Sequence, residues 1–329
     1  MLRTAGPHGL PVDRPTRAMT ATVFIDGAAG TTGLEIGDRL AGRSEFTLIS
    51  LDDDRRKDPG ARRAALNDAD FAILCLPDEA AREAVALIDP ASAVRVIDAS
   101  SAHRVADGWT FGFPELVGRQ AVAEAGRVSN PGCYSTGFLA LVAPLVAGGL
   151  LPADWPYSCH AVSGYSGGGK SLIARFEGDG DIAWRGYALE LGHKHVPEMR
   201  QHAGLTREPL FSPAVVPAHR GMVVEVPLPL SAMPGAAAPA ALRERLAEFY
   251  ADSAVVRMGQ QPDVELLLRK SREPSDELEL HVFASADGAQ ARLVAVLDNL
   301  GKGASGAAVQ SLNLMAGLEE TASLRLPAK

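Results

Sequence analysis

Between residues 22 and 129, short uninterrupted apolar runs alternate with segments whose apolar residues recur at helical spacing. The runs are Thr22–Ile25, Phe46–Leu51, Phe71–Leu76 and Val94–Ile97. They have strand length, and continuous rather than alternating apolarity marks parallel strands buried on both faces. Between them, Leu34, Gly37, Leu40 and Ala41 share one helical face, an Ala-rich helix starts near Gly60 and another near Glu79. This alternation predicts an α/β unit with a doubly wound, Rossmann-type parallel sheet. Because the first strand begins just after Met19, residues 1–19 are expected to be a disordered extension, with Met19 as a possible alternative start.

Beyond Asn130 the pattern changes. Met222–Leu228, Val264–Leu268, Leu278–Ala284 and Ala291–Val296 are longer and alternate, with a Pro-rich connection over Pro227–Pro239. They predict a second, antiparallel α+β domain. Ala304–Leu318 closes the chain as a helix pattern carrying Val309, Leu312, Leu314 and Met315.

Composition narrows the options. The 329 residues suffice for two domains at roughly 150 residues each. With 47% apolar and 22% charged residues, the chain has the balance of a soluble globular protein. A net charge of −8 argues against a general nucleic-acid binder. No apolar run reaches the roughly 18–20 residues of a membrane span. Three cysteines (Cys75, Cys133, Cys159) at no metal-ligand spacing fit a reducing, cytoplasmic compartment, with no metal site.

Two glycine-rich segments compete as phosphate binders. Gly27-Ala28-Ala29-Gly30-Thr31-Thr32-Gly33 lies between the first strand and the first helix. There glycines let a backbone approach a pyrophosphate, and a helix N-terminus offers free N–H groups. The spacing is GxxGxxG rather than GxGxxG, so position in the βα unit carries the reading. The second strand ends in Asp52-Asp53-Asp54-Arg55-Arg56-Lys57. An acid there suits the ribose of NAD, an arginine suits the 2′-phosphate of NADP, and a solvated charge run fits equally. Gly164–Ser171 matches GxxxxGK[ST] literally, which would make the chain a P-loop NTPase. Against that reading, Leu172–Glu177 runs directly into Gly178-Asp179-Gly180, leaving little room for the helix a P-loop requires.

The segment Asn130-Pro131-Gly132-Cys133-Tyr134-Ser135-Thr136-Gly137 breaks the chain at Pro-Gly and leads into the apolar helix pattern of Phe138–Val146. Cys133 is therefore expected near a helix start, where the dipole and free N–H groups would lower its pKa and favour a nucleophilic thiolate. Cys75 and Cys159 sit in apolar, strand-like contexts and are expected to be inert.

This segment resembles the active-site signature of the N-acetyl-γ-glutamyl-phosphate reductases, a branch of the acyl-phosphate reductase superfamily. Further segments match in order along nearly the whole chain: Gly27–Gly33, Val96–Arg104, Ser163–Lys170, His193–Glu198, His219–Met222 and Asp298–Ala304. The resemblance is closer to the family's shorter second type.

It implies an NADPH-dependent reduction of an acyl phosphate to a semialdehyde, through a thioester on Cys133, in arginine biosynthesis. His193, His195 and Glu198 match the segment supplying the acid/base histidine, with His195 favoured. Ser163, Gly164, Arg104 and Arg220 match candidate substrate-binding positions. Gly27, Gly30, Thr31, Thr32 and Gly33, with Ser50, Arg55 and Arg56 and with Asn299 and Gly303, match candidate NADP(H)-binding positions.

The implied organisation is a dinucleotide-binding domain over 20–129 and a catalytic and oligomerisation domain over 130–297. Residues 298–329 then return to the first domain, in a homo-oligomer (dimer or tetramer) acting on a small molecule. Aspartate-semialdehyde and glyceraldehyde-phosphate dehydrogenases share this architecture and are the alternative enzymes; a non-enzymatic dinucleotide sensor is disfavoured by the cysteine–histidine pairing. The acidic triplet Asp52–Asp54 and the N-terminal extension depart from the family pattern.

Overall fold

The computed structural model describes residues 20–260, 262 and 265–327. The expected disordered extension therefore lies outside the described residues. Two sheets organise the rest. The first contains β1 (Ala21–Asp26), β2 (Phe46–Ile49), β3 (Phe71–Leu74), β4 (Arg95–Asp98), β5 (Thr110–Phe111) and β6 (Arg127–Ser129), all parallel, in the order β2-β1-β3-β4-β6-β5. Every residue of β3 is buried, as its unbroken apolar run requires.

Helices cover both faces of this sheet. On one side, α1 (Thr31–Leu40) contributes Ile36 and Leu40 to a core shared with Val23, Ile73 and Ile97. On the other, α2 (Pro59–Asp68) and α3 (Asp78–Ala86) pack Leu66, Ala81 and Ala84 against Phe24, Ala72 and Val96. The short helices α4 (Pro114–Val117) and α5 (Arg119–Glu124) lead to β6.

The second sheet contains β7 (Ser158–Gly164), β8 (Arg185–Gly186), β9 (Leu210–Val216), β10 (Met222–Leu228), β11 (Val256–Met258), β12 (Leu278–Ala284) and β13 (Ala291–Leu297), ordered β11-β12-β13-β10-β7-β9-β8. Its centre is antiparallel, but β7 pairs parallel with β9 and β11 with β12, so the sheet is mixed rather than antiparallel. The strand expected over Val264–Leu268 is not formed across Glu265–Leu268, and Val264 lies outside the described residues. There the apolar side chains cover a neighbour instead of pairing: Leu268 lies over Gly221, where an added Cβ would come within 2.6 Å of Leu268 Cδ1.

One helix joins the two layers. In α6 (Cys133–Ala147) every residue from Tyr134 to Leu145 is buried. It packs against β10, β12 and β13 on one side and against α8 (Val196–His202) and α9 (Pro239–Phe249) on the other. Gly137 permits the close approach to β10, since a Cβ there would lie 2.7 Å from Val224 Cγ2. After β13, a π-helical turn (Gly301–Ser305) feeds α10 (Gly306–Met315), whose Ala308, Val309 and Leu312 return to the first sheet's core.

Candidate active site

A cavity of about 780 Å³ opens between the two sheets. On one side it is lined by Gly30, Thr31 and Thr32, and on the other by Ser163, Gly164, the segment Ser166–Leu172 and Arg175. Cys133, Arg104, His193 and His195 also line it, as do Asn299 and Gly303. Gly27 and Gly33 shape the turn behind it. Ser50, Arg55 and Arg56 are exposed on the loop after β2 and do not line it, and Arg56 pairs with Asp53 at 3.1 Å.

The glycine turn has the build a dinucleotide needs. Gly27 sits at φ +88°, and a Cβ there would come within 2.3 Å of the Cys75 carbonyl. A Cβ on Gly33 would meet the Gly27 carbonyl at 2.5 Å. Gly30 caps α1 without a side-chain hydrogen bond, so the first N–H groups of the helix, at Thr31 and Thr32, are left for a ligand facing the cavity. The turn therefore fits a pyrophosphate approached by backbone alone.

Cys133 is the first residue of α6, with Gly132 as its N-cap. Gly132 sits at a crossing point: a Cβ there would lie 2.4 Å from Arg104 Nη1, 2.4 Å from His195 Nε2 and 2.6 Å from Glu198 Oε1. The carbonyl of Gly132 accepts from Ser135 Oγ at 2.8 Å and Thr136 Oγ1 at 3.0 Å, which locks the helix start. Its N–H donates to Glu198 Oε2 at 3.1 Å. Glu198 Oε1 in turn accepts from Arg104 Nη1 at 2.7 Å.

Arg104 is delivered by a turn that Asp98 builds. Asp98 accepts from Ser100 N at 2.8 Å and Ser100 Oγ at 2.7 Å, and lies 2.6 Å from His103 Nδ1. The consecutive motif Asp98–Arg104 thus acts as a bracket that aims one guanidinium at the catalytic helix.

The expected lowering of the Cys133 pKa is not found. Burial pushes the thiol up to about 11; Arg104 and the backbone N–H groups at the helix start oppose this but do not overcome it. The helix-start argument counts local dipoles only, whereas burial is set by the packing of the two domains. Burial first, with the cationic Arg104 and Lys194 nearby, also holds His195 well below the usual imidazole range and takes His193 down to about 4. The resting pair is thus a neutral thiol beside neutral imidazoles. His193 Nδ1 accepts the backbone N–H of His195 at 3.1 Å, and it is the His195 imidazole whose Nε2 lies against Gly132.

The Walker-like segment is partly as expected. Contrary to the expectation, a ten-residue helix, α7 (Gly169–Gly178), does follow the glycines. The N–H groups at the start of the segment are spent elsewhere: Gly164 N donates to Gly221 O, Tyr165 N to Ala218 O and Ser166 N to His219 O. The start of the loop is therefore bolted to the turn between β9 and β10, and its later part, Gly167–Ser171, contributes to the cavity wall.

Arg220 also differs from expectation. It does not line the cavity; its guanidinium donates to Asp298 Oδ2 at 2.8 Å and to Glu35, so both ends of the fork are taken by carboxylates. Asn299 is spent as well, accepting from Gly221 N and donating to Ser166 Oγ, both at 2.9 Å. Sequence reasoning gave no role to Asn130, whose Oδ1 is buried without a partner among the described residues while its Nδ2 donates to Ala304 O. Its position before Pro131-Gly132 was the available signal. Tyr187 and Arg185, also on the cavity wall, carried no local signal.

Among the described residues, no helix is long and apolar enough to cross a membrane, and no group of three or more His, Cys, Asp or Glu is placed to hold a metal.

Comparison with known proteins places this geometry in a family. Residues 22–125 match the semialdehyde dehydrogenase NAD binding domain and residues 133–299 the semialdehyde dehydrogenase dimerisation domain. A Trichormus variabilis protein named N-acetyl-gamma-glutamyl-phosphate reductase is 47% identical over 318 residues, covering 92% of this chain and 98% of its own. A Pseudomonas putida protein named N-acetyl-gamma-glutamyl-phosphate reductase 2 is 50% identical over 306 residues, with 91% and 97% covered. Among solved structures, aspartate semialdehyde dehydrogenase II from Vibrio cholerae, complexed with ASA, superposes with a TM-score of 0.65 at 17% identity, covering 91% of this chain and 99% of that one. That likeness is one of fold. The chain belongs to the N-acetyl-gamma-glutamyl-phosphate reductase family, within the semialdehyde dehydrogenases.

Proposed function

We propose that this chain is an NADPH-dependent reductase that converts N-acetyl-γ-glutamyl phosphate to N-acetylglutamate 5-semialdehyde and phosphate, in arginine biosynthesis. The observation that carries the reading is the shared cavity: Cys133 at the start of a buried helix, His195 against the residue before it, and a glycine turn opposite. The identities of 47% and 50% to relatives bearing this reductase name support the substrate.

In this reading Cys133 yields its proton to His195 Nε2 as its sulfur attacks the acyl carbon, and phosphate leaves to give a thioester. Both groups start neutral, so the thiolate forms as the substrate arrives rather than being stored. When held by the Gly27–Gly33 turn, a reduced dinucleotide would supply the hydride that takes the thioester to the aldehyde level. His195 returns the proton to the developing alkoxide, and collapse of the thiohemiacetal releases the aldehyde and restores the Cys133 thiol.

Gly27, Gly30, Thr31, Thr32 and Gly33 would hold the pyrophosphate. Arg55 and Arg56, with Ser50, would take the 2′-phosphate, and Asn299 and Gly303 would border the nicotinamide. Ser163, Gly164 and Arg104 would face the acyl phosphate. Glu198 works behind them, holding Arg104 and Gly132. Assembly as a dimer or tetramer is supported by the match to a dimerisation domain, and a cytoplasmic setting by three unpaired cysteines.

The test is oxidation of N-acetylglutamate semialdehyde in the presence of phosphate and NADP or NAD, with Cys133→Ser as control. The expected result is a preference for this aldehyde over aspartate semialdehyde, and for NADP over NAD. Equal rates with the two aldehydes refute the substrate; a Cys133→Ser variant that keeps most of its activity refutes the mechanism.

A further inference from the structure

We infer that Arg220 is a positioning residue that ties the dinucleotide-binding helix to the loop behind Cys133. It stands between two carboxylates from different parts of the chain. Glu35 belongs to α1, one turn beyond the Thr31 and Thr32 N–H groups that face the cavity. Asp298 follows β13 and is fully buried. The guanidinium donates to both.

Each carboxylate reaches further. Asp298 accepts from Leu300 N at 2.9 Å, and its carbonyl accepts from Gly301 N and Gly303 N at 3.1 Å each, which shapes the turn leading into α10. That turn presses on the nucleophile: a Cβ on Gly303 would lie 2.9 Å from Cys133 Cβ. Asn299, next in sequence, pins the Ser166 loop and the Gly221 backbone. On the other side, Glu35 Oε2 lies 3.1 Å from Ser305 Oγ, at the far end of the same turn. A second bridge runs in parallel, with Arg39 of α1 donating to Asp276 at 2.5 and 2.9 Å.

The arrangement explains why a half-buried arginine with both ends of its fork paired sits outside the cavity. A half-buried guanidinium bridging two carboxylates, one of them fully buried, loses hydration and is retained where it specifies a relative position. Here the position specified is that of the α1 N-terminus, which would hold the pyrophosphate, relative to Cys133, and so how far the nicotinamide end of the same dinucleotide would lie from the thioester. A shift of about 1 Å in such a distance is worth on the order of 10²-fold in rate.

The inference rests on the proposed reaction for its turnover assay, but not for its binding assay. The experiment compares Arg220→Gln, Glu35→Gln and Arg220→Lys in the full chain. It reads NADPH affinity by the fluorescence of the bound dinucleotide, and kcat and KM by aldehyde oxidation. Arg220→Gln and Glu35→Gln should each weaken NADPH binding and lower kcat by roughly tenfold or more, with the aldehyde KM within about threefold of wild type. The Arg220→Gln/Glu35→Gln double variant should be little worse than Arg220→Gln alone, because Arg220→Gln already cuts the Glu35 link along with the Asp298 one. Arg220→Lys keeps the charge but spans only one carboxylate, and should recover part of the loss.

A rise of tenfold or more in aldehyde KM, with NADPH affinity unchanged, would make Arg220 a substrate ligand and overturn the inference. So would variants that lose only thermal stability. If Arg220→Gln does not fold, Glu35→Gln carries the test alone. If wild type does not oxidise the aldehyde, the proposed function fails, and the NADPH titrations still decide the coupling.

Discussion

Arg104 and Glu198 form a buried ion pair directly behind the nucleophile, with Nη1 and Oε1 2.7 Å apart and the second carboxylate oxygen holding the N–H of Gly132. One pair thus fixes the backbone at the start of α6 and places a positive charge beside the Cys133 sulfur. Removing one member strands the other's charge in the interior. Glu198→Ala should lower the unfolding free energy by about 3–5 kcal/mol. Urea denaturation measures this, and a double Arg104→Met/Glu198→Met variant should regain part of the loss. A single variant as stable as wild type would show that the pair does not hold the site together.

Gly132 is sterically fixed by the groups it separates. Gly132→Ala would drive a methyl to 2.4 Å from His195 Nε2 and Arg104 Nη1, so the imidazole must withdraw. We expect kcat to fall about 10²-fold, with NADPH affinity little changed. Steady-state kinetics with a dinucleotide titration checks this, and an unchanged kcat would mean that His195 does not act from that position.

Burial sets the Cys133 thiol at about 11. In the ligand-free protein its alkylation by iodoacetamide should therefore climb about tenfold per pH unit from roughly pH 7 to 9.5, without a plateau. Peptide mapping separates it from Cys75, which burial raises to about 12. A plateau near neutral pH would show a stored thiolate and refute the neutral resting pair.

His193 ties stability to pH. Its folded value is depressed to about 4 by burial first and by Lys194 and Arg104 second. Between about 6.5, the unfolded value, and 4, the unfolded chain binds the proton and the folded chain resists it. Stability is thus complete above about pH 6.5 and declines as pH falls through this window. His195 and His202 are depressed in the same direction, so His193→Gln should shallow the slope without abolishing it. Melting temperatures across pH 4–7.5 measure the slope; an identical slope in the variant would remove His193 from the account.

Features governed by short stretches of chain were legible in advance. Unbroken apolar runs such as Phe71–Leu74 predict parallel strands because both faces of such a strand must be covered. Gly27 and Gly33 were conspicuous because their place is set by local geometry, a left-handed φ in one case and a carbonyl at 2.5 Å in the other. Cys133 at a helix start followed from the Pro-Gly break before an apolar segment. The family resemblance followed from motifs of the same local kind.

What tertiary structure decided depends on partners distant in sequence. Arg220 reads as a free fork until Glu35, 185 positions away, is folded against it. The glycine loop after β7 reads as a complete phosphate cradle until the turn before β10 consumes its first N–H groups. The Cys133 thiol reads as activated until packing around the cavity strips much of its solvent and burial outweighs the helix start. The sequence alone determined which groups this chain carries and the turns and helix ends that hold them. Tertiary structure decided their charge states and which partners they meet, because desolvation and ion pairing are properties of the packed interior rather than of neighbouring residues.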